Sequence, residues 1–242
     1  MNSIVSNIRS IRERMEKACA KSGRDPNEVR LLLATKTVGP ENIKIAFQAG
    51  ETLIGENKVQ EIKEKADSLM NIPHEKHFIG HLQTNKIKDI LKYNVSCVQS
   101  LDRLDLAQKL HQRLLFEQKT MNVFIQVNTS AEKSKFGIGP QDAVALARQV
   151  AKLDTLRIRG LMTIGIFSAE TGKLRECFKL LKNIRQEIIR ENIPNVEMQE
   201  LSMGMSGDLE IAIEEGATIV RVGTAIFGKR IYPDSYYWNE QQ

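Results

Sequence analysis

The stretch "VRLLLATKTVGP", residues Val29 to Pro40, joins a strand-forming run to the start of a helix. Its three leucines and the threonine after them favour a buried strand, and Pro40 is typical of a first helical turn. Between the two stands a lysine, Lys36. A strand that passes directly into a helix is the repeating unit of parallel sheets. The fold therefore depends on how often this unit recurs.

The unit recurs along the whole chain, with Gly, Pro, Asn or Asp at most junctions. Eight strands are predicted, at 29–35, 52–55, 77–80, 95–99, 122–128, 157–164, 197–202 and 218–222. Seven helices are predicted between them, at 41–49, 57–70, 83–92, 102–118, 140–153, 170–192 and 206–215. Strict alternation implies right-handed crossovers, and eight units are the number that closes a (β/α)8 TIM-type barrel.

An open doubly wound sheet is the alternative to a closed barrel. Two observations favour closure: no G-x-G-x-x-G follows the first strand, and no change in composition divides the chain into halves. We therefore expect one domain over residues 1–242, with a barrel at 29–228. Residues 1–23 form an extra amphipathic helix, because Ile4, Ile8, Ile11 and Met15 recur at helical spacing. Residues 229–242 form an aromatic tail that packs over a barrel end or frays.

Composition restricts the class of protein. The chain has 242 residues and a formal charge of +5, from 35 basic and 30 acidic residues that are interleaved. This balance allows an anionic ligand, but no basic stripe with aromatic residues indicates nucleic-acid binding. Three widely spaced cysteines predict neither a disulfide framework nor a metal site. No run approaches the roughly 20 apolar residues of a membrane span, so a cytoplasmic protein is expected.

The residues after each strand carry the functional argument, because active groups of this barrel lie at the carboxyl ends of its strands. Lys36 follows strand 1, where burial could lower its pKa and free the amine to attack an aldehyde. It could instead extend into solvent. Asn57 follows strand 2, and capping of the next helix is favoured over contact with a ligand.

The loops after strands 3 and 5 are less informative. His81 has no second histidine or carboxylate at metal-ligand spacing, so a structural role in closing the loop is favoured. Lys133 and Lys135 lie in "VNTSAEKSKFGIG", which either attracts an anion to the barrel mouth or is a solvated loop.

Glycine-rich turns follow strands 7 and 8. "LSMGMSGDLEIAI" contains Ser206 between Gly204 and Gly207, and Asp208 is expected in the first helical turn; "VRVGTAIFG" contains Gly223 and Thr224 before a short helix. Backbone N–H groups in these two loops form the usual phosphate site of such barrels. The two loops together therefore predict a phosphate site.

Arg221 is a charged residue within strand 8. By the period of 2, it either enters the barrel or meets the helix layer. An inward arginine would require an anion or a hydrogen-bond acceptor, whereas an outward one would form an ion pair with a helix carboxylate.

A lysine at one side of the mouth and a phosphate site at the other suit a compact ligand with an aldehyde and a phosphate. Pyridoxal 5′-phosphate (PLP) meets this description, and so do phosphorylated substrates of Schiff-base aldolases. The residues alone leave both open.

The sequence resembles the pyridoxal-phosphate homeostasis protein family (the YggS/PROSC group), which is related to the N-terminal barrel of alanine racemases. The resemblance runs from about residue 30 to residue 228, in the motifs "LLLATKTV", "GENKVQE", "HFIGHLQTNK", "VNTSAEKSKFGI" and "LSMGMSGDLEIAIEEGATIVRVGTAIFG". It implies a monomeric PLP-binding protein that acts in vitamin B6 homeostasis, by buffering the cofactor or delivering it to apo-enzymes. It implies no metal and no catalytic residue.

The resemblance also implies the cofactor-binding residues. Lys36 would form the aldimine; Ser206, Gly223 and Thr224 would hold the phosphate, with Arg221 near the cofactor. Asn57 and Met203 would line the pocket.

Catalysis is expected to be weak or absent. Alanine racemases add a second domain that supplies a tyrosine base, and this sequence ends about fourteen residues after "IFG". An arginine near the pyridine nitrogen would also disfavour its protonation by like-charge repulsion. A PLP-dependent amino-acid racemase stays the alternative, and an aldolase comes third.

Overall fold

The structure, a computed structural model, describes residues 3–132, 134–166 and 170–228. Its eight parallel strands form a closed barrel in the order of the sequence, with β8 paired to β1. The strands are β1 Arg30–Ala34, β2 Leu53–Glu56, β3 Glu75–Phe78, β4 Cys97–Leu101, β5 Met121–Gln126, β6 Leu156–Met162, β7 Val196–Ser202 and β8 Ile219–Val222. The predicted (β/α)8 barrel is confirmed, and the open sheet is excluded.

Helices surround the barrel. They are α1 Ser3–Ser22, α2 Pro40–Gln48, α3 Val59–Leu69, α4 Ile87–Lys92, α5 Leu104–Glu117, α6 Ala143–Val150, α7 Thr171–Arg190, α8 Leu209–Glu214 and α9 Thr224–Phe227. Short 3-10 turns at Pro26–Glu28, Thr84–Lys86 and Pro140–Asp142 precede β1, α4 and α6. Among these helices, none combines the length and the apolar content needed to cross a membrane.

Two of the predicted strands are shifted along the chain by two residues at both ends. β3 runs from Glu75 to Phe78 rather than from 77 to 80, and β4 runs from Cys97 to Leu101 rather than from 95 to 99. Both strands carry polar residues on buried positions, for example His77 and Gln99. A prediction that follows apolar runs misplaces such strands.

The buried side chains form two clusters. The larger lies between the sheet and the helices. The smaller takes one residue from each of six strands and fills the barrel; its members are Leu32, Leu53, Cys97, Phe124, Met162 and Ile219. The two clusters follow the alternation of strand side chains between the inner and outer faces.

The extra helix α1 packs outside the barrel against α8 and α9. Its predicted apolar face is buried, at Ile4, Ile8, Ile11 and Met15. The Asn7 side-chain amide also donates to the Ile226 carbonyl oxygen at 2.9 Å. The predicted tail, 229–242, lies outside the described residues, and so does Lys133.

Candidate functional site

Lys36 lies in a tight turn directly after β1. The Val38 amide donates to the Thr35 carbonyl oxygen at 3.0 Å, which closes the turn. Thr37 has a φ of 64°, a left-handed conformation that is unfavourable for a β-branched residue. The Thr37 amide donates to Glu61 Oε1 of α3 at 3.0 Å. The half-buried Lys36 is thus carried on a backbone that α3 holds in a strained conformation.

A buried ion pair fixes the other side of this turn. Lys65 Nζ lies 2.8 Å from Glu56 Oε1 and donates to the Thr35 carbonyl oxygen at 2.7 Å. Thr35 Oγ1 also donates to Glu56 Oε1, at 2.7 Å. Burial raises the pKa of Glu56 to about 7, although Lys65 opposes the shift. The residue before Lys36 is therefore anchored through both its carbonyl and its hydroxyl group.

Hydroxyl groups meet at the exits of β7 and β8. Thr224 Oγ1 and the Ala225 amide each lie 3.4 Å from Ser206 Oγ. A Cβ added to Gly223 would lie 2.9 Å from the Ala34 carbonyl oxygen, so glycine allows β8 to approach β1 closely here. The structure therefore brings Ser206, Gly223 and Thr224 together, next to the strand that leads to Lys36.

Helix α1 supports this pair of loops. Arg14 Nη2 donates to the Ser206 carbonyl oxygen at 3.0 Å, and Arg14 also forms an ion pair with Glu210 at 2.6 Å. The hydrogen bond to Glu210 raises the pKa of Arg14 further. Sequence reasoning missed Arg14, because neither its position on an exposed helix face nor its spacing indicates its partners.

Arg221 enters the barrel, which decides between the two orientations left open by the sequence. Its Nη1 donates to Ser202 Oγ at 2.9 Å and its Nη2 to the Thr163 carbonyl oxygen at 2.7 Å. Burial lowers the pKa of Arg221 to about 10. Within the described part of the chain, no carboxylate forms an ion pair with it. A buried positive charge therefore lies beneath the mouth.

A chain of hydrogen bonds continues from Ser202 down the barrel interior. Ser202 Oγ donates to Gln99 Oε1 at 2.6 Å, and Gln99 Nε2 donates to His77 Nδ1 at 2.7 Å. His77 Nε2 then donates to Glu75 Oε1 at 2.6 Å. The His77 hydrogen bond is the main reason that the pKa of Glu75 falls to about 2. The interior chain, from Arg221 to Glu75, thus links a cation at the mouth to an anion at the base.

Three of the predicted residues are placed differently from expectation. Lys58 rather than Asn57 is the N-cap of α3, and no side chain caps this helix, so the capping role for Asn57 was wrong. Asp208 precedes α8 as its N-cap, outside the first turn, and accepts a hydrogen bond from the Met205 amide. Met203 is fully buried in the larger core cluster, which leaves its side chain no surface at the mouth.

The other loop residues are tied into the protein. The His81 ring stacks on Phe136 with centroids 4.0 Å apart. Lys135 Nζ donates to the Gly165 carbonyl oxygen at 2.7 Å and pairs with Glu132 at 2.8 Å. Across residues 3–132, 134–166 and 170–228, no group of three or more His, Cys, Asp and Glu side chains could hold a metal ion.

Comparison with known structures identifies the class of barrel. The family model "Alanine racemase, N-terminal domain" matches residues 2–231. An unknown protein from Bifidobacterium adolescentis superposes with a TM-score of 0.89 at 38% identity, over 93% of this chain and 94% of its own. An alanine racemase from Clostridium difficile gives a TM-score of 0.75 at 12% identity, with 57% of that chain covered, and shares the fold alone. The fold and the strand exits thus define a barrel of the alanine racemase N-terminal type.

Curated relatives identify the family. A pyridoxal phosphate homeostasis protein from Aquifex aeolicus is 42% identical over 220 residues, which are 91% of this chain and 95% of the relative. The protein of that name from Escherichia coli K12 is 38% identical over 235 residues, or 96% and 99%. The chain belongs to the pyridoxal phosphate homeostasis protein family. PipY of Synechococcus elongatus, solved with PLP bound, has a TM-score of 0.80 at 29% identity, over 93% of this chain and 100% of its own.

Proposed function

We propose that the protein binds PLP at the barrel mouth as an aldimine with Lys36, and buffers or delivers the cofactor in vitamin B6 homeostasis. The observation that carries the proposal is the meeting of an amine and a hydroxyl-rich turn at adjacent strand exits. β1 pairs with β8, so Lys36 and the loop of Gly223 and Thr224 lie on neighbouring strands. The names of the relatives and the PLP-bound PipY structure support the choice of ligand.

The groups at the mouth fit PLP by their chemistry. PLP supplies an aldehyde that condenses with a primary amine, and a phosphate that accepts hydrogen bonds. Lys36 is the primary amine, and the turn that carries it is anchored by Lys65 and Glu61. Ser206 Oγ, Thr224 Oγ1 and nearby backbone N–H groups are the donors for a phosphate. Asn57 lies two residues beyond the β1–β2 pair Ala34–Gly55, so it borders Lys36.

Arg221 favours storage of the cofactor over catalysis. A carboxylate beside the pyridine nitrogen favours its protonation, which strengthens the ring as an electron sink for carbanion chemistry. Arg221 is instead a buried cation whose bonds to Ser202 and Thr163 hold it in place. A guanidinium here would repel a proton on the ring, so we propose that the protein has little or no catalytic activity.

We further propose that the protein works as a cytoplasmic monomer and that apo forms of PLP-dependent enzymes receive its cofactor. The homeostasis role in the names of its relatives supports the choice of such recipients.

The visible absorption spectrum tests the anchor directly. Purified protein that is mixed with PLP and then freed of unbound PLP should show an aldimine band that borohydride abolishes. Lys36→Ala should lack the band, because no other described lysine shares its place at the exit of β1. Lys17→Ala is the matched control, since Lys17 is an exposed lysine on α1, and it should keep the band.

Two outcomes would contradict the proposal. A protein that is colourless once unbound PLP has been removed would contradict the assignment of Lys36 as the anchor of the cofactor. Efficient exchange of an amino-acid α-hydrogen with solvent deuterium by the loaded protein would indicate an enzyme instead of a carrier.

A further inference from the structure

A cavity of about 460 Å³ lies beside the proposed cofactor site. Its walls come from the two motifs "GENKVQE" and "HFIGHLQTNK", together with side chains from the exits of β5 and β6. Asn57 is the residue that this cavity shares with the proposed cofactor site. A Cβ added to Gly80 would lie 2.0 Å from the Asn57 carbonyl oxygen, so glycine brings the two motifs into contact. The cavity therefore adjoins Lys36 without including it.

The cavity carries an excess of positive charge. Lys58, Lys63 and Lys86 line it. Lys63 is neutralised by Asp89 at 3.1 Å. Neither Lys58 nor Lys86 has an acidic partner within 4.0 Å in the described ranges, and both are half-buried. Two uncompensated ammonium groups facing one cavity favour an anionic ligand.

The remaining polar groups of the cavity can also accept hydrogen bonds. Gln126 Nε2 donates to the Phe136 carbonyl oxygen at 3.1 Å, which leaves its Oε1 as an acceptor. The side-chain amides of Asn57, Gln60 and Gln83 make no hydrogen bond to any other part of the chain that the structure describes. Each amide oxygen suits an ammonium donor.

Apolar side chains complete the walls. Phe78, Ile79 and Ile164 line the cavity. Phe136, whose ring stacks on that of His81, lines it as well. A ligand for this site therefore has a negative group for the lysines, a donor for the amide oxygens and a compact carbon body. Inorganic phosphate has the negative charge and an O–H donor, but it has no carbon body for the apolar walls.

We propose that this cavity binds a free α-amino acid and that it prefers an acidic one. The ligand carboxylates would meet Lys58 and Lys86, and its ammonium group the amide oxygens. The inference deepens the proposed function. It rests on that function in one respect: the amine of the bound amino acid would lie next to the site where Lys36 is proposed to hold the aldehyde of PLP. It assigns a ligand to residues of "GENKVQE" and "HFIGHLQTNK" that have no role in the proposed binding of the cofactor.

Isothermal titration calorimetry tests the site on the full chain freed of PLP. L-glutamate should bind once per chain, more tightly than L-alanine, and less tightly as salt is added, because salt screens the two lysines. The double variant Lys58→Gln, Lys86→Gln should bind glutamate at least tenfold more weakly. The matched control is Lys17→Gln, Lys88→Gln, which removes two exposed lysines outside the cavity and should bind as the wild type does.

The outcomes separate this inference from the proposed function. Glutamate binding of equal strength in the wild type and in a folded double variant, judged by circular dichroism, would overturn the site. Binding of inorganic phosphate but of neither amino acid would overturn the choice of ligand. A wild type that binds glutamate yet shows no aldimine band with PLP would support the cavity and refute the cofactor site.

Discussion

Replacement of Ser202 by alanine would break the interior chain at its centre. Ser202 Oγ accepts from Arg221 and donates to Gln99, and all three side chains are buried. The change leaves one donor and one acceptor without partners, and each such group costs about 1–3 kcal/mol. The expected loss is therefore about 2–6 kcal/mol, a large share of the roughly 5–15 kcal/mol that stabilises a typical domain.

Urea unfolding at pH 7, followed by circular dichroism, measures the loss. Ser96→Ala is the control, because Ser96 donates one hydrogen bond to the Lys76 carbonyl oxygen at an exposed position and should change stability by less than about 0.5 kcal/mol. In a Gln99→Leu background, Ser202→Ala should cost less, since no acceptor is left unpaired. A Ser202→Ala protein as stable as the control would refute the assignment of a connected interior chain.

Two further predictions concern charged groups. Lys65→Met should cost about 3–5 kcal/mol at pH 8, because it leaves Glu56 buried and unpaired, and less at pH 5. The pKa of Glu56, raised to about 7, allows that carboxyl to take up a proton as the pH falls; equal losses at both pH values in urea unfolding would contradict this. The pKa of Glu75, lowered to about 2, predicts a contribution to stability that is complete above its ordinary value of 4.5 and lost as the pH falls toward 2. Unfolding of Glu75→Gln between pH 2 and pH 6 should therefore depend less on pH than that of the wild type.

The barrel was predictable from the sequence because its signal is repetitive. Eight alternations of strand and helix leave few topologies, and the observed barrel confirms the prediction. The apolar face of α1 was equally clear, because Ile4, Ile8, Ile11 and Met15 recur with the helical period. The limits of β3 and β4 were less clear, since polar residues such as His77 fill positions where apolar ones are expected.

The sequence predicted where in the barrel the site residues lie, but it predicted fewer of the contacts that these residues make. The exits of β1, β7 and β8 could be named because the barrel fixes where functional groups lie. The interior chain could not be found, because Gln99 and Ser202 are 103 positions apart and neither belongs to a motif that indicates the other. The orientation of Arg221 could not be decided either. Its acceptors are a serine hydroxyl and a backbone carbonyl, and neither is marked in the sequence as a partner for an arginine.

The contacts of α1 join residues that are far apart in the order of synthesis. Asn7 bonds to Ile226, 219 positions later, and Arg14 bonds to Ser206 and Glu210, 192 and 196 positions later. A ribosome must produce most of the barrel before α1 meets these partners. The contacts of α1 with α8 and α9 thus form late in synthesis, and the loop of Ser206 gains its support from α1 at that stage. A nascent chain would acquire its proposed phosphate-binding loop only near the end of synthesis.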